Sequence, residues 1–237
     1  MLQAAETHNL AQNLPTVEDL LGVDQACFCR GRSTRDHITT LTTFIENGFE
    51  KTGAVFLDLT AAHDTIWHTG LLYKLSKCLL LWCVQTVELL LRNCRFRVHM
   101  GDDVSSWQRQ ANGLPQGSVL APTLFNLYNL PLTHSRRFIY GDDILCDLQA
   151  ETFLEIECTL TADLDHLAKY CQLWHLKLST SKTVTSVFHL HNNGAHSELN
   201  VYMNGQRLKH DPYPNAFWKT AVNKDHRSWC HLRSDPF

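Results

Sequence analysis

Nine residues, FIYGDDILC (138–146), constrain the architecture more than any other stretch of this chain. Phe138, Ile139 and Tyr140 read as the end of one strand, and Ile144, Leu145 and Cys146 as the start of the next. Gly-Asp between them is hairpin-turn chemistry, because Gly accepts positive φ and Asp can bond its own backbone. The two strands then run antiparallel, with Asp142 and Asp143 at their junction. Two readings fit the pair: solvated acids on a tight turn, or carboxylates held out on a rigid support for divalent metal ions.

The rest of the chain bounds the choice. A length of 237 residues suits one large domain or two small ones, and 44% hydrophobic content supplies a core. A formal charge of −3 gives no global basic footprint, so a nucleic-acid partner needs a local basic groove. The nine cysteines include no CxxC pair. The opening MLQAAETHNLAQNLP has neither a basic nor an apolar leader region. Reduced thiols in an intracellular protein of the nucleus or cytoplasm are expected. Cys27 and Cys29 with His37, or His189 and His191 with His196, lack ordinary zinc spacing. The apolar run Leu79 to Leu91 is too short to span a membrane and contains Gln85 and Glu88.

Helical patterns are expected at Thr16–Leu21 and Thr34–Phe49, then a strand AVFLDL (54–59) carrying Asp58. Thr69 to Leu91 reads as two helices, RFRVHM (95–100) and SSWQRQ (105–110) as a hairpin across Gly101-Asp102, and NGLPQGS (112–118) as a loop. A helix follows from Val119 to Leu130. The clearest helix is Glu151–Trp174, where Phe153, Ile156, Leu160, Leu164, Leu167, Cys171 and Trp174 share one face. VTSVFHL (184–190) reads as a strand and NVYMNGQRL (200–208) as a hairpin with an Asn-Gly turn. Residues 211–237 look irregular.

This order favours an α+β fold, an antiparallel sheet covered by helices on one face. In it Asp58 can lie beside Asp142 and Asp143, so that three carboxylates converge as two-metal phosphoryl chemistry requires. Mg²⁺ takes oxygen ligands and keeps waters, so two or three carboxylates plus substrate phosphates suffice. Asp64 reads as the cap of the helix that follows it.

At these residues the chain resembles the reverse transcriptase domain of non-long-terminal-repeat (LINE-type) retrotransposons. AVFLDLTAAHDTIWH (54–68), NGLPQGSVLAPTLFNLY (112–128), FIYGDD (138–143) and WHLKLSTSKT (174–183) are similar to four of its motifs, in order. DQACFCRGRSTRDH (24–37) is similar to its fingers segment. The resemblance implies a polymerase palm-like antiparallel sheet backed by helices, with partial fingers and no evident thumb. It divides the chain into a partial fingers-like segment (1–53), a palm-like domain with inserted fingers elements (54–210) and a C-terminal tail (211–237).

The function it implies is RNA-directed DNA polymerisation, a two-metal nucleotidyl transfer onto a primer 3′-hydroxyl. RNA template, DNA primer and deoxynucleoside triphosphates would be the partners, and Mg²⁺, or Mn²⁺, the cofactor. Asp58, Asp142 and Asp143 would hold metal, and Lys182 would assist the leaving group. His63, Gln116, Gly117 and Tyr140 would line the substrate site. His63 stands where the family places Tyr or Phe, Cys27 where Gly is usual and Cys29 where Arg is usual. The alternative is an inactive retrotransposon-derived remnant that binds nucleic acid or protein.

Overall fold

The computed structural model describes residues 20–48, 51–128, 133–188 and 197–212. Residues 16–19 of the helix expected at 16–21, the histidines at 189–196, the last two residues of the helix ending at Leu130 and the tail from 213 lie outside them. The described chain forms two compact units. One holds residues 20–23, 60–128 and 171–177, and the other holds 24–59, 133–170, 178–188 and 197–212 without the undescribed positions 49–50.

The second unit is built around β1 (Lys51–Asp58), the central strand of a five-stranded sheet. Antiparallel neighbours flank it: β7 (Asp143–Ala150) on one side and β8 (Val184–Phe188) on the other. β6 (Arg136–Tyr140) closes one edge beside β7, and β11 (Lys209–His210) closes the other, parallel to β8. Residues 52–57 are all buried, so β1 is covered on both faces rather than one. On one face α1 (Thr34–Asn47) brings Leu41, with Ile38 and Ile45, against Ala54, Phe56, Phe138 and Leu145. On the other lies α6 (Phe153–Leu173), whose Ile156, Leu160 and Leu164 are completely buried. The approach is closest at Gly53, where a Cβ would fall 2.4 Å from Ile156 Cγ2 and 2.9 Å from Leu199 Cδ1. Only glycine fits there.

A small hairpin extends the α6 side. β9 (Tyr202–Met203) pairs with β10 (Gln206–Arg207) across Asn204-Gly205, both at positive φ (52° and 74°), as the Asn-Gly signature predicts. The Asn200 N–H donates to Glu157 Oε1 (2.7 Å), tying the hairpin to α6. On the opposite edge of the sheet the chain at Asp24–Ala26 caps β6 by exchanging backbone bonds with Ile139. Arg137, almost wholly buried, pairs there with Asp24. β11 has no sequence signal: two residues are too few to show a period.

The first unit is mainly helical. α3 (His68–Cys78), α4 (Leu81–Arg92) and α5 (Ala121–Leu127) match the helices read from the sequence with small shifts at their ends, and a short α2 (Ala62–Thr65), not read there, precedes them. Between α4 and α5 a two-stranded ribbon projects, formed by β2 (Arg95–Phe96) with β5 (Gln108–Arg109) and β3 (His99–Met100) with β4 (Asp103–Val104). Gly101, at φ 62°, makes its turn. Among the described residues no helix is long and apolar enough to cross a membrane.

Candidate active site

Strand register places the acids. In the β1–β7 ladder Asp58 is directly opposite Asp143, and in the β6–β7 ladder Asp143 is opposite Tyr140. The turn between β6 and β7 is therefore only Gly141-Asp142. Gly141, at φ 66°, carries the positive φ that a two-residue hairpin turn demands. Asp143 is thus a strand residue, and Asp142 alone stands on the turn.

A second connection delivers Lys182 to the same end of the sheet. The Ser179 N–H donates to the Asp58 carbonyl (2.9 Å), and the Thr183 N–H donates back to the Ser179 carbonyl (2.9 Å). The resulting turn holds Lys182 Nζ 3.3 Å from Asp58 Oδ2, with the lysine mostly exposed. That oxygen is buried and makes no well-directed hydrogen bond. The contact is an ion pair of poor geometry, and Oδ2 keeps an unused lone pair.

Burial raises the Asp143 carboxyl from 3.8 to about 6, with further push from Asp142 and then Asp58. Burial, with Cys29 and Asp142 adding to it, lifts the Cys27 thiol to about 11, and Tyr140 hydrogen-bonds to that thiol. Tyr140 is itself raised, by burial and then by Cys27. Cys27 Sγ also lies under the turn, 3.7 Å from where a Cβ on Gly141 would be. Cys27 therefore supports the acidic turn from chain far upstream of it.

Do these residues fit a divalent cation? A buried carboxylate oxygen with spare capacity and a carboxyl whose ionisation is opposed by burial and then by its acidic neighbours are what a cation would relieve. Among the described residues, no three His, Cys, Asp or Glu side chains are grouped closely enough to hold an ion unaided. The acids fit an open Mg²⁺-type site that takes further ligands from water and phosphate, not a closed protein cage.

The remaining predicted positions belong to the helical unit. His63, in α2, stacks its ring on Phe125 (centroids 4.2 Å apart, planes 25°) and is half-buried. Gln116 is exposed, and its Nε2 donates to Asp64 Oδ1 over a long 3.4 Å. Asp64 lies inside α2 and does not cap it; Ala61, in left-handed conformation, occupies the cap. Gly113 explains why this loop hugs α2: at φ 82°, a Cβ on it would sit 2.7 Å from the Asp64 carbonyl. The Leu114 N–H donates to the His63 carbonyl (2.8 Å) and completes the strap. Gly117, also at φ 82°, faces open space, so its glycine serves the turn and leaves the backbone accessible.

A sheet of this topology whose central strand and hairpin turn present acids at one end defines a polymerase palm. The chain belongs to the reverse transcriptase (RNA-dependent DNA polymerase) family, which it matches over residues 6–220. It is 30% identical over 196 residues to a probable RNA-directed DNA polymerase from transposon BS of Drosophila melanogaster, covering 77% of this chain and 22% of that protein. It is 26% identical over 191 residues to the RNA-directed DNA polymerase from mobile element jockey of Drosophila funebris, covering 75% of this chain and 20% of that protein. The chain thus spans about a fifth of the length of these curated relatives. Its fold is shared with an apo telomerase from Candida tropicalis truncated from its C-terminal domain: TM-score 0.58, 11% identity, 78% of this chain and 41% of that one.

Proposed function

We propose that this chain is the palm-containing part of an RNA-directed DNA polymerase, and that Asp58, Asp142 and Asp143 are its catalytic acids. The observation that carries the reading is the pairing of Asp58 with Asp143 at the end of β1, with Asp142 on the adjoining turn. Mg²⁺ or Mn²⁺ bound there would activate a primer 3′-hydroxyl and neutralise the leaving pyrophosphate. The protein's own part is to hold Asp58 and Asp143 on paired strands with Asp142 on the adjoining turn, and to leave Asp58 Oδ2 only the exposed Lys182 ammonium as a partner.

Lys182 has two roles in this scheme. With no cation present its ammonium partly neutralises Asp58; with substrate bound it swings, on its exposed stem, to the triphosphate. Tyr140 and Cys27 brace the turn, while His63, Gln116 and Gly117 serve template, primer and deoxynucleoside triphosphate. Residues 54–210 would be the palm-like domain with inserted fingers elements, following a fingers-like segment at 1–53. Primer extension by the full chain on an RNA template with Mg²⁺ or Mn²⁺ is the test. Extension that falls to background in Asp142→Asn supports the reading, and extension equal in both proteins sinks it. No extension in either protein favours the binding remnant.

A further inference from the structure

The ribbon of the helical unit is unusual in being exposed on both faces: every residue from 95 to 109 is exposed. A two-stranded hairpin with neither face packed is marginal by itself in water. Its two faces differ sharply in chemistry. Alternation puts Arg95, Arg97 and His99 on one side and Phe96, Val98 and Met100 on the other. Arg109 joins the first side, because it is directly opposite Arg95 in the ladder. Trp107, two residues earlier on the same strand, joins it too, with the Arg97 guanidinium 4.9 Å from its ring centre.

Two features of that face call for an anion. Arg95 and Arg109 are cross-strand partners of like charge, an arrangement that destabilises a ribbon unless something negative lies between them. Among the described residues, no carboxylate forms a salt bridge with Arg95, Arg97 or Arg109. The acids of the ribbon, Asp102 and Asp103, are at the turn, and Asp103 is paired with Met100 on the other face. In a chain of net charge −3 this is a local basic stripe, not a reflection of overall composition. Trp107, 60% exposed, adds a flat apolar surface beside the guanidinium groups.

The ladder also breaks beside Trp107. Phe96 faces Gln108 and His99 faces Val104, so two residues on one strand oppose three on the other. Ser105 bridges the bulge, its hydroxyl accepting from the Val98 N–H and its N–H donating to the Val98 carbonyl, both at 2.9 Å. A bulge of this kind re-aims the side chains next to it. Here those are Ser106 and Trp107.

We propose that the Arg95–Arg97–Trp107–Arg109 face of this ribbon binds single-stranded nucleic acid, phosphates on the arginines and a base stacked on Trp107. Cationic groups that track a backbone beside an aromatic platform are the usual chemistry of such sites, and a duplex has no free base to offer the ring. The site lies on the helical unit and uses none of the acids, so it goes beyond the polymerase reading and does not depend on it.

The test is binding of a fluorescently labelled single-stranded RNA 20-mer to the full chain, followed by anisotropy across a salt series. Arg95→Gln/Arg97→Gln/Arg109→Gln should weaken binding on the order of tenfold and flatten the slope of log affinity against log salt by roughly 2. Trp107→Ala should weaken it roughly five- to a hundredfold. Phe96→Gln/Met100→Gln, on the opposite face, should bind as wild type does. Thermal midpoints show whether each variant folds; if the triple variant does not, Arg109→Gln alone should flatten the slope by about 0.7. Wild-type affinity in a folded triple or Arg109→Gln variant overturns the proposal. So does equal affinity for a duplex of the same length with no effect of Trp107→Ala. A wild-type dimer that the triple variant dissociates, with no oligonucleotide bound, overturns it in favour of a second copy of this chain. Primer extension is read separately, so its failure breaks the polymerase reading and leaves this one standing.

Discussion

The acidic end of the sheet and the basic ribbon are both hairpins closed by a Gly-Asp turn, yet they are held in opposite ways. Around Gly141-Asp142 the strands continue into a sheet with helices on both faces, and Asp143 is fixed by partners on either side. Around Gly101-Asp102 the strands end in solvent, and every residue from 95 to 109 is exposed. The first hairpin gets its geometry from burial. The second gets its shape from a few ladder bonds and has no core beneath either face. Identical turn chemistry therefore supports a rigid site in one place and an adaptable surface in the other.

The contrast predicts its largest effect in the core. Leu160 is fully buried on the α6 side of β1, at the glycine gap. Leu160→Ala should cost ~2–5 kcal/mol in denaturant unfolding, since the lost methyl groups leave a cavity the sheet cannot close. A cost under about 1 kcal/mol would mean that α6 is not clamped to the sheet.

Metal should act at the Asp58 end of β1. At a hundredfold excess over its dissociation constant, Mn²⁺ should stabilise the folded chain by ~2.7 kcal/mol. Asp142→Asn removes a ligand charge at nearly constant volume and should abolish most of that gain. Equal stabilisation of both proteins would place the ion away from the turn.

Much of this was legible from the sequence because short-range signals were strong. Gly-Asp and Asn-Gly predict their turns, and the three-and-four spacing of Ile156, Leu160, Leu164 and Leu167 predicts α6. The paired runs around Asp58 and Asp143 allow the acids to meet, and register makes them neighbours. Other features have no local signature. Cover of both sheet faces depends on α1 returning over Ala54 and Phe56, which alternation in so apolar a strand cannot reveal. Asp64 reads as the cap of the helix after it, because a short acid before a helix often is one, but it lies inside α2 and the cap position of α3 is Trp67. The support of the turn by Cys27 comes from chain more than a hundred residues away, beyond the reach of any periodicity. Ribbon arginines were visible as letters, but only the ladder shows Arg95 facing Arg109.

Acidity gives a smaller effect with a definite sign. The folded chain raises Asp143 from 3.8 to about 6, first by burial and then by Asp142 and Asp58. Between those values the folded chain keeps a proton that the unfolded chain has lost. The stability it contributes is full below about 3.8 and disappears as pH rises through about 6. Relative to Asp143→Asn, the metal-free wild type should therefore lose stability as pH rises across this window. Other acids run the opposite way. Asp163, which accepts from the backbone of His134 and Ser135, is lowered overall despite its burial, so the variant comparison is needed to isolate Asp143. A flat difference would mean that neither burial nor the neighbouring acids raise Asp143.

The smallest effect should fall on the ribbon, and its smallness is the sharpest form of the contrast. Met100 is 78% exposed beside the turn, with Asp103 as its cross-strand partner. Met100→Ser removes apolar surface that the folded chain leaves mostly in water, so little transfer free energy is lost. Serine also lies outside the turn pair itself and leaves Gly101 its positive φ. The unfolding free energy should change by no more than ~0.5 kcal/mol, the ordinary range for a surface position. A cost above about 1 kcal/mol, measured by denaturant unfolding of the full chain without nucleic acid, would show that something within the folded chain covers this face. The two hairpins would then differ in degree only, with the apolar face of the ribbon packed within the chain and the Arg95–Arg109 face still open.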